Sequence, residues 1–158
     1  MERYNKITTK NKREIVLLRG QGCAYGKCTF CDYHLDKCAD DKANFLLNRQ
    51  VLEQVTGEFG RLEVINSGSG FELDDETLQL IREICRRQNI TDIHFEAHYM
   101  YEEKIPKLRK FFTGFNIKMK LGLETFDYDL REHILRKGIN ETEPERIAEN
   151  FDEANLLF

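Results

Sequence analysis

Strand-sized apolar runs alternate with stretches of helical periodicity along almost the whole chain, and few folds accept that order. Glu14 to Arg19 reads as a short strand. Residues 43 to 57 place Phe45, Leu46, Val51, Leu52 and Val55 at helical spacing, and Leu62 to Ser67 reads as the next strand. Asp74 to Arg87 follows as an amphipathic helix with carboxylates in its first turn and arginines in its last, as the helix dipole favours. Thr91 to Tyr99 is a third strand, Tyr101 to Phe112 a third helix, Asn116 to Glu124 a fourth strand, and Asp127 to Arg136 a fourth helix closed by Gly138. Glu143 to Leu156 reads as one more helical stretch. Strand and helix units in series predict a parallel sheet.

Alternation within the strands says what each face of that sheet meets. Ile93, Phe95 and Ala97 share an apolar face suited to helix packing, whereas His94, Glu96 and His98 share a face that is costly to bury unless it lines a cavity. Met119, Leu121 and Leu123 contrast with Lys120, Gly122 and Glu124 in the same way. The expected fold is therefore α/β: a partial (β/α)6 TIM-like barrel of parallel strands, with helices outside and a polar interior. Four strands are too few to close such a barrel. The expectation is one domain over residues 1–158 that lacks the last strands, as in a segment of a longer protein.

A chain of 158 residues, 41% hydrophobic and 33% charged, is long enough for one core and short for two. Its first residues, MERYNKITTK, hold no apolar run of the signal-peptide kind, and no stretch has membrane-spanning length. A cytoplasmic protein with no membrane partner is expected. Five cysteines in such a chain argue against a disulfide framework, because the cytosol keeps thiols reduced. Metal binding is the natural reading. A net charge of -4 and a pI near 5.7 leave little long-range attraction for polyphosphates, which favours a small substrate over nucleic acid.

Cys23, Cys28 and Cys31 form C-x4-C-x2-C on a glycine-bearing loop directly after the first strand, compact enough for three thiolates to face one centre. Three protein ligands on a four-iron cluster leave one iron open to the amino and carboxylate groups of a cofactor. His34 offers a second reading, a Cys3His zinc set in a non-catalytic binding module. Cys38 and Cys85 read as bystanders, Cys85 on an apolar helix face beside Ile81 and Ile84.

Cys28-Thr29-Phe30-Cys31 resembles the cysteine, any residue, aromatic, cysteine signature of the radical S-adenosylmethionine (radical SAM) superfamily. The usual spacing there is C-x3-C-x2-C; this chain has one residue more, which Gly26 can accommodate. The resemblance implies a [4Fe-4S] cluster on the three cysteines, S-adenosylmethionine with Phe30 beside its adenine, and an electron donor such as flavodoxin or ferredoxin. Asn66-Ser67-Gly68-Ser69-Gly70-Phe71-Glu72 stands where that superfamily carries a glycine-rich stretch receiving the methionine ammonium, which brings Ser67, Gly68 and Ser69 to the cofactor. Gly122-Leu123-Glu124-Thr125-Phe126-Asp127, followed by Leu130, Arg131, Leu135, Lys137 and Gly138, resembles the strand-four segment of a subgroup containing methylthiotransferases, elongator-type acetyltransferases and archaeosine-synthase relatives. By that analogy Glu124 and Thr125 contact the ribose or methionine end, and Arg131 is a candidate for the cofactor carboxylate. Glu96 stands where ribose-contacting groups often lie, and Tyr33 is a candidate to stack on a planar ring. Asn66, His98 and Tyr99 are candidate substrate contacts, and no residue is singled out as catalytic.

Taken together, RGQGCAYGKCTFCDYH, NSGSGFE and GLETFDYDLREHILRKG are similar to the small bacterial queuine lyases, relatives of archaeosine synthase that act on a free nucleoside or nucleotide. That resemblance implies an enzyme that forms a 5'-deoxyadenosyl radical and releases queuine from queuosine or queuosine 5'-phosphate in queuosine salvage. Two alternatives stay open. One is a tRNA-modifying radical SAM enzyme of archaeosine-synthase type, which should carry a basic face or an RNA-binding domain; the other is the zinc-stabilised module.

Overall fold

The computed structural model of the protein describes residues 1–157, which build a six-stranded sheet with the strands in sequence order. Strand β1 (Tyr4–Ile7) runs antiparallel to β2 (Arg13–Leu18). Then β3 (Arg61–Asn66), β4 (Asp92–Ala97), β5 (Asn116–Glu124) and β6 (Glu153–Leu156) each add in parallel. Helices α1 (Asp41–Leu52), α2 (Asp75–Arg87), α3 (Ile105–Phe111) and α4 (Pro144–Ala148) occupy the crossovers. The result is an open, partial TIM-like barrel, as the alternation predicts.

Local chemistry sets these boundaries. Asp40 caps α1 by accepting from the Ala43 amide, and Asp74 caps α2 by accepting from the Thr77 amide at 2.7 Å. Asn48 of α1 uses both ends of its amide on Arg19, accepting from its N–H and donating to its carbonyl, each at 2.8 Å. The chain leaving β2 is thereby held against a helix where the cysteine loop begins.

Val16, Leu18, Leu62, Val64, Ile93, Phe95, Met119 and Leu121 expose no surface and join Leu52, Ile81, Ile84 and Phe112 in the core. Each such side chain contributes roughly 1.5–3 kcal/mol of burial. The other face carries the polar set. Near the strand starts Glu63 is paired with both Arg13 and Lys120, and Lys120 lies 3.6 Å from Glu153. Burial pushes the Glu63 carboxyl up, but the bonds from Lys120 and Arg13 outweigh it and hold the group below the ordinary range.

Four expectations need correction. The residues before Glu14, to which the sequence assigns no element, include the edge strand β1, Tyr4–Ile7. The stretch from 143 to 156 is helical only over Pro144–Ala148, and Glu153–Leu156 is a strand, so the sheet has six strands rather than four. The helix expected from Tyr101 begins as a 3-10 segment, Tyr99–Lys104, and becomes α-helical at Ile105, where Pro106 occupies a first-turn position that needs no N–H donor. The helix expected over 127 to 136 is a π-helical turn, Leu130–Ile134, in which the Leu135 amide bonds to the Leu130 carbonyl at 2.9 Å.

Glu14 ties the first elements together from a fully buried position. Its carboxylate accepts from the Tyr4 hydroxyl and from the Thr56 and Gly57 amides, each at 2.7 Å, and from the Thr56 hydroxyl at 3.0 Å. Burial pushes its carboxyl up, yet these donors together hold it below the ordinary value. Glu14→Ala strands the donors and is expected to cost about 1–3 kcal/mol at neutral pH, read by urea unfolding of the apo chain. A lowered carboxyl stabilises above its unfolded-state pKa, and that stabilisation is lost as pH falls through its folded-state value. The gap between wild type and variant should therefore narrow on acidification; a gap that widens would contradict the assignment.

Candidate active site at the carboxyl ends of the strands

Parallel strands place all their carboxyl ends along one rim, and there the polar face opens into a cavity of about 480 Å³. The loop after β2 supplies Cys23, Cys28, Phe30, Cys31 and Tyr33 to its wall; the turn after β3 supplies Asn66, Gly68 and Ser69. Glu96, Ala97 and His98 come from β4 and its end, Gly122 and Glu124 from β5, and Ala154 to Leu157 from β6 and the residue after it. Lys137 completes the wall.

The three loop cysteines are unpaired, half-exposed thiols on this one cavity. Burial pushes the Cys28 thiol up, and the Lys137 ammonium works against that shift. Among the described residues no three His, Cys, Asp or Glu side chains converge closely enough to hold a single metal ion. A zinc site needs its ligands within about 2.0–2.3 Å of one point, whereas a cubane spreads three sulfurs over separate irons. His34 does not line the cavity that the three thiols share; its Nδ1 lies 2.6 Å from the Cys31 carbonyl oxygen. The donor set therefore fits a cluster better than a zinc ion. Cys38 lies off the cavity, and Cys85 is fully buried, its thiol pushed up to about 12 by burial.

Two buried acceptors in the cavity wall have no hydrogen-bond partner, Asn66 Oδ1 and Glu124 Oε2. Buried polar atoms are rarely left so, and these ask for donors from a bound molecule. Glu124 has φ +71, in the left-handed region unfavourable for a carboxylate residue, at an irregularity in the pairing of β5 with β6. Its Oε1 lies 3.3 Å from Lys137 Nζ, and that ammonium stands 5.5 Å from the centre of the Phe30 ring. Asn155 donates to Glu96 at 2.8 Å, but burial dominates and pushes the Glu96 carboxyl up. His98 spends both ring nitrogens: Nε2 donates to the Lys137 carbonyl at 2.6 Å, and Nδ1 accepts from the Met100 amide at 3.1 Å. Burial lowers its pKa, in keeping with a neutral ring.

Eleven of the residues expected from the sequence thus meet on one cavity: Cys23, Cys28, Cys31, Phe30, Tyr33, Asn66, Gly68, Ser69, Glu96, His98 and Glu124. Four lie off it. Ser67 is fully buried and accepts from the Gly20 amide at 3.2 Å, and Tyr99 stacks on Phe151. Thr125 is buried, its hydroxyl accepting from the Asp127 amide. Arg131 is 1% exposed, with its guanidinium on Glu132 and on the Thr125, Ile139 and Glu141 carbonyls. Four of its five N–H donors are spent within the chain, and it lines no part of the cavity. Sequence reading passed over Lys137, though it stood in a quoted motif, and over Asn155, which had been placed on a helix.

Fold and site together define a partial α/β barrel with a cysteine loop over its active-site mouth. The chain belongs to the radical SAM superfamily, whose family model matches residues 17–156. It is similar, at 47% identity and a TM-score of 0.95, to the solved structure of a queuine lyase from Clostridium spiroforme bound to SAM and queuine. That match covers 99% of this chain and 67% of the other. An uncharacterized protein of Methanocaldococcus jannaschii is 23% identical over 141 residues, which are 78% of this chain and 38% of that protein. The chain thus spans well under half of that relative's length.

Arg131→Met would remove the donor to three carbonyls and leave the Glu132 carboxylate with the Ile139 amide alone. The expected cost is about 3–5 kcal/mol, seen as a lower unfolding temperature of the apo chain, with S-adenosylmethionine affinity retained by whatever fraction folds. Normal stability together with lost affinity would instead return Arg131 to the cofactor.

Proposed function

We propose that the protein is a radical SAM lyase that releases queuine from queuosine or queuosine 5'-phosphate, with a [4Fe-4S] cluster on Cys23, Cys28 and Cys31. The observation that carries this reading is the likeness along 99% of the chain to a queuine lyase bound to SAM and queuine. The three thiols on one cavity support it independently.

Held by Cys23, Cys28 and Cys31, a cluster with S-adenosylmethionine would supply radical hydrogen-abstraction chemistry at the substrate. The chain's own part is binding, orientation and exclusion of water. Phe30 offers a ring face for the adenine. Lys137 supplies the positive charge for a carboxylate, in the role the sequence suggested for Arg131. Asn66 Oδ1 and Glu124 Oε2 accept from amino or hydroxyl donors, and Gly68 and Ser69 bring backbone close to the ligand. Glu96, whose pKa is raised by burial, and Asn155 form a polar pair between β4 and β6 that can recognise a substrate hydroxyl or ring N–H. A flavodoxin or ferredoxin would deliver the electron. No helix among the described residues is long and apolar enough to cross a membrane.

Anaerobic reconstitution with iron, sulfide and dithionite tests this reading. Queuosine or its 5'-phosphate should accelerate 5'-deoxyadenosine formation and release queuine in step with it, both read by mass spectrometry. Alanine at any of Cys23, Cys28 or Cys31 should abolish both products, while Cys38→Ala and Cys85→Ala keep them. Lys137→Met should weaken S-adenosylmethionine binding about ten- to a hundred-fold, the loss expected for a charge-assisted hydrogen bond. Acceleration by modified tRNA alone would favour the tRNA-modifying alternative, and stoichiometric zinc without 5'-deoxyadenosine would sink the enzyme.

A further inference from the structure

We propose that Glu72 and Tyr25 form a two-point clamp that holds the C-x4-C loop in cluster-binding shape before any cluster arrives. The inference rests on the reading of the three cysteines as cluster ligands, and it concerns how the chain presents them.

Glu72 closes the 3-10 turn Gly70–Glu72 after β3, and one carboxylate there joins three segments. Oε1 accepts from the Ala24 amide at 2.7 Å and from the Tyr101 hydroxyl at 2.8 Å, while Oε2 accepts from the Ser69 amide at 2.6 Å. The residue after Cys23 is thereby fastened to the glycine-rich turn and to the segment after β4. The approach is close enough to exclude a side chain at position 68. A Cβ there would lie 2.0 Å from Glu72 Oε2 and 3.1 Å from the Cys23 Cα.

Tyr25 makes the second point. Its ring stacks on His98 with centroids 4.3 Å apart and 19° between planes, and its hydroxyl donates to the Arg136 carbonyl at 2.7 Å. Gly138, at φ +64, leaves the space: a Cβ there would come within 2.4 Å of the phenol oxygen. The far end of the loop is tied to the same place, with the Thr29 amide on the Leu135 carbonyl at 3.1 Å and its hydroxyl on the Ile134 carbonyl at 2.8 Å. These three acceptors lie at and just past the end of the π-helical turn, where carbonyls have no partner of their own within the helix. Between the anchors the chain reverses at Gly26, φ +56. Cys23 and Cys28 are thus each adjacent to an anchored residue. His98, engaged on both nitrogens, acts here as a positioning residue that joins the loop to the backbone of Lys137.

The full-length chain tests the clamp through iron retention and apo-state order. Tyr25→Ala and Glu72→Ala, reconstituted anaerobically, should lose iron to a chelator about 10- to 100-fold faster than wild type, the range typical of residues that orient metal ligands. Their reduced clusters should show altered electron paramagnetic resonance on adding S-adenosylmethionine. Tyr25→Phe, which keeps the stack and loses the hydroxyl, should fall between, and it decides the matter if Tyr25→Ala fails to fold. Lys10→Ala, exposed on a distant turn, should match wild type. In the metal-free wild type the Ala24 amide should exchange slowly with deuterium, and faster in both variants. Folded variants with wild-type iron retention, or an Ala24 amide that exchanges at the unfolded rate, would overturn the clamp alone. A wild type that assembles no cluster would overturn the ligand assignment, and the clamp with it.

Discussion

Parallel pairing is the constraint on which the rest depends. From β2 to β6 each strand runs in the same direction, so each delivers the residues after its last hydrogen-bonded position to a common rim. The cysteine loop, the serine and glycine turn, His98 and the Glu124 irregularity lie far apart in sequence and share that rim because the sheet has no alternative. An antiparallel arrangement would have sent half of them to the opposite end. The one antiparallel strand, β1, supplies nothing to the cavity and is fixed instead by Glu14.

The two ends of the polar face differ in how their charges are paired. At the strand starts Glu63, Lys120, Arg13 and Glu153 neutralise one another through direct contacts, while His94 Nδ1 and Arg61 Nε beside them are buried without a hydrogen-bond partner. At the rim the balance is left incomplete, with Asn66 Oδ1 and one oxygen of Glu124 buried and unbonded. Buried polar atoms without a partner are costly, and in a cavity wall a bound molecule can supply one.

Much of this was legible in the sequence because period-two alternation reports faces directly. His94 and Glu96 opposite Phe95 and Ala97, and Lys120 and Gly122 opposite Met119 and Leu121, fall as the alternation predicts, and three cysteines in one loop can hardly avoid one another. What escaped has physical reasons. β1 and β6 are four residues each, half polar, and their pairing depends on partners more than on their own composition. The π-helical turn shares the apolar spacing of an α-helix over so short a span. Arg131 looked available because its carbonyl partners at 139 and 141 lie in a segment with no periodic signal, and Lys137 looked idle because only the folded chain brings it beside Glu124.

The π-helical turn links these departures. Arg131 within it points inward and pins residues 139 to 141, so the chain beyond it is held against the end of β5. That path carries Lys137 back over the cavity, and it leaves the carbonyls of Ile134, Leu135 and Arg136 facing the cysteine loop. Glu124 at φ +71 costs on the order of 1–3 kcal/mol, and the same neighbourhood offsets it by giving the carboxylate a buried ammonium. Strain at Glu124, the buried Arg131 and the docked loop are therefore one arrangement. Its outcome is that a thiol-bearing loop and a buried cation, Lys137, line the same cavity of about 480 Å³.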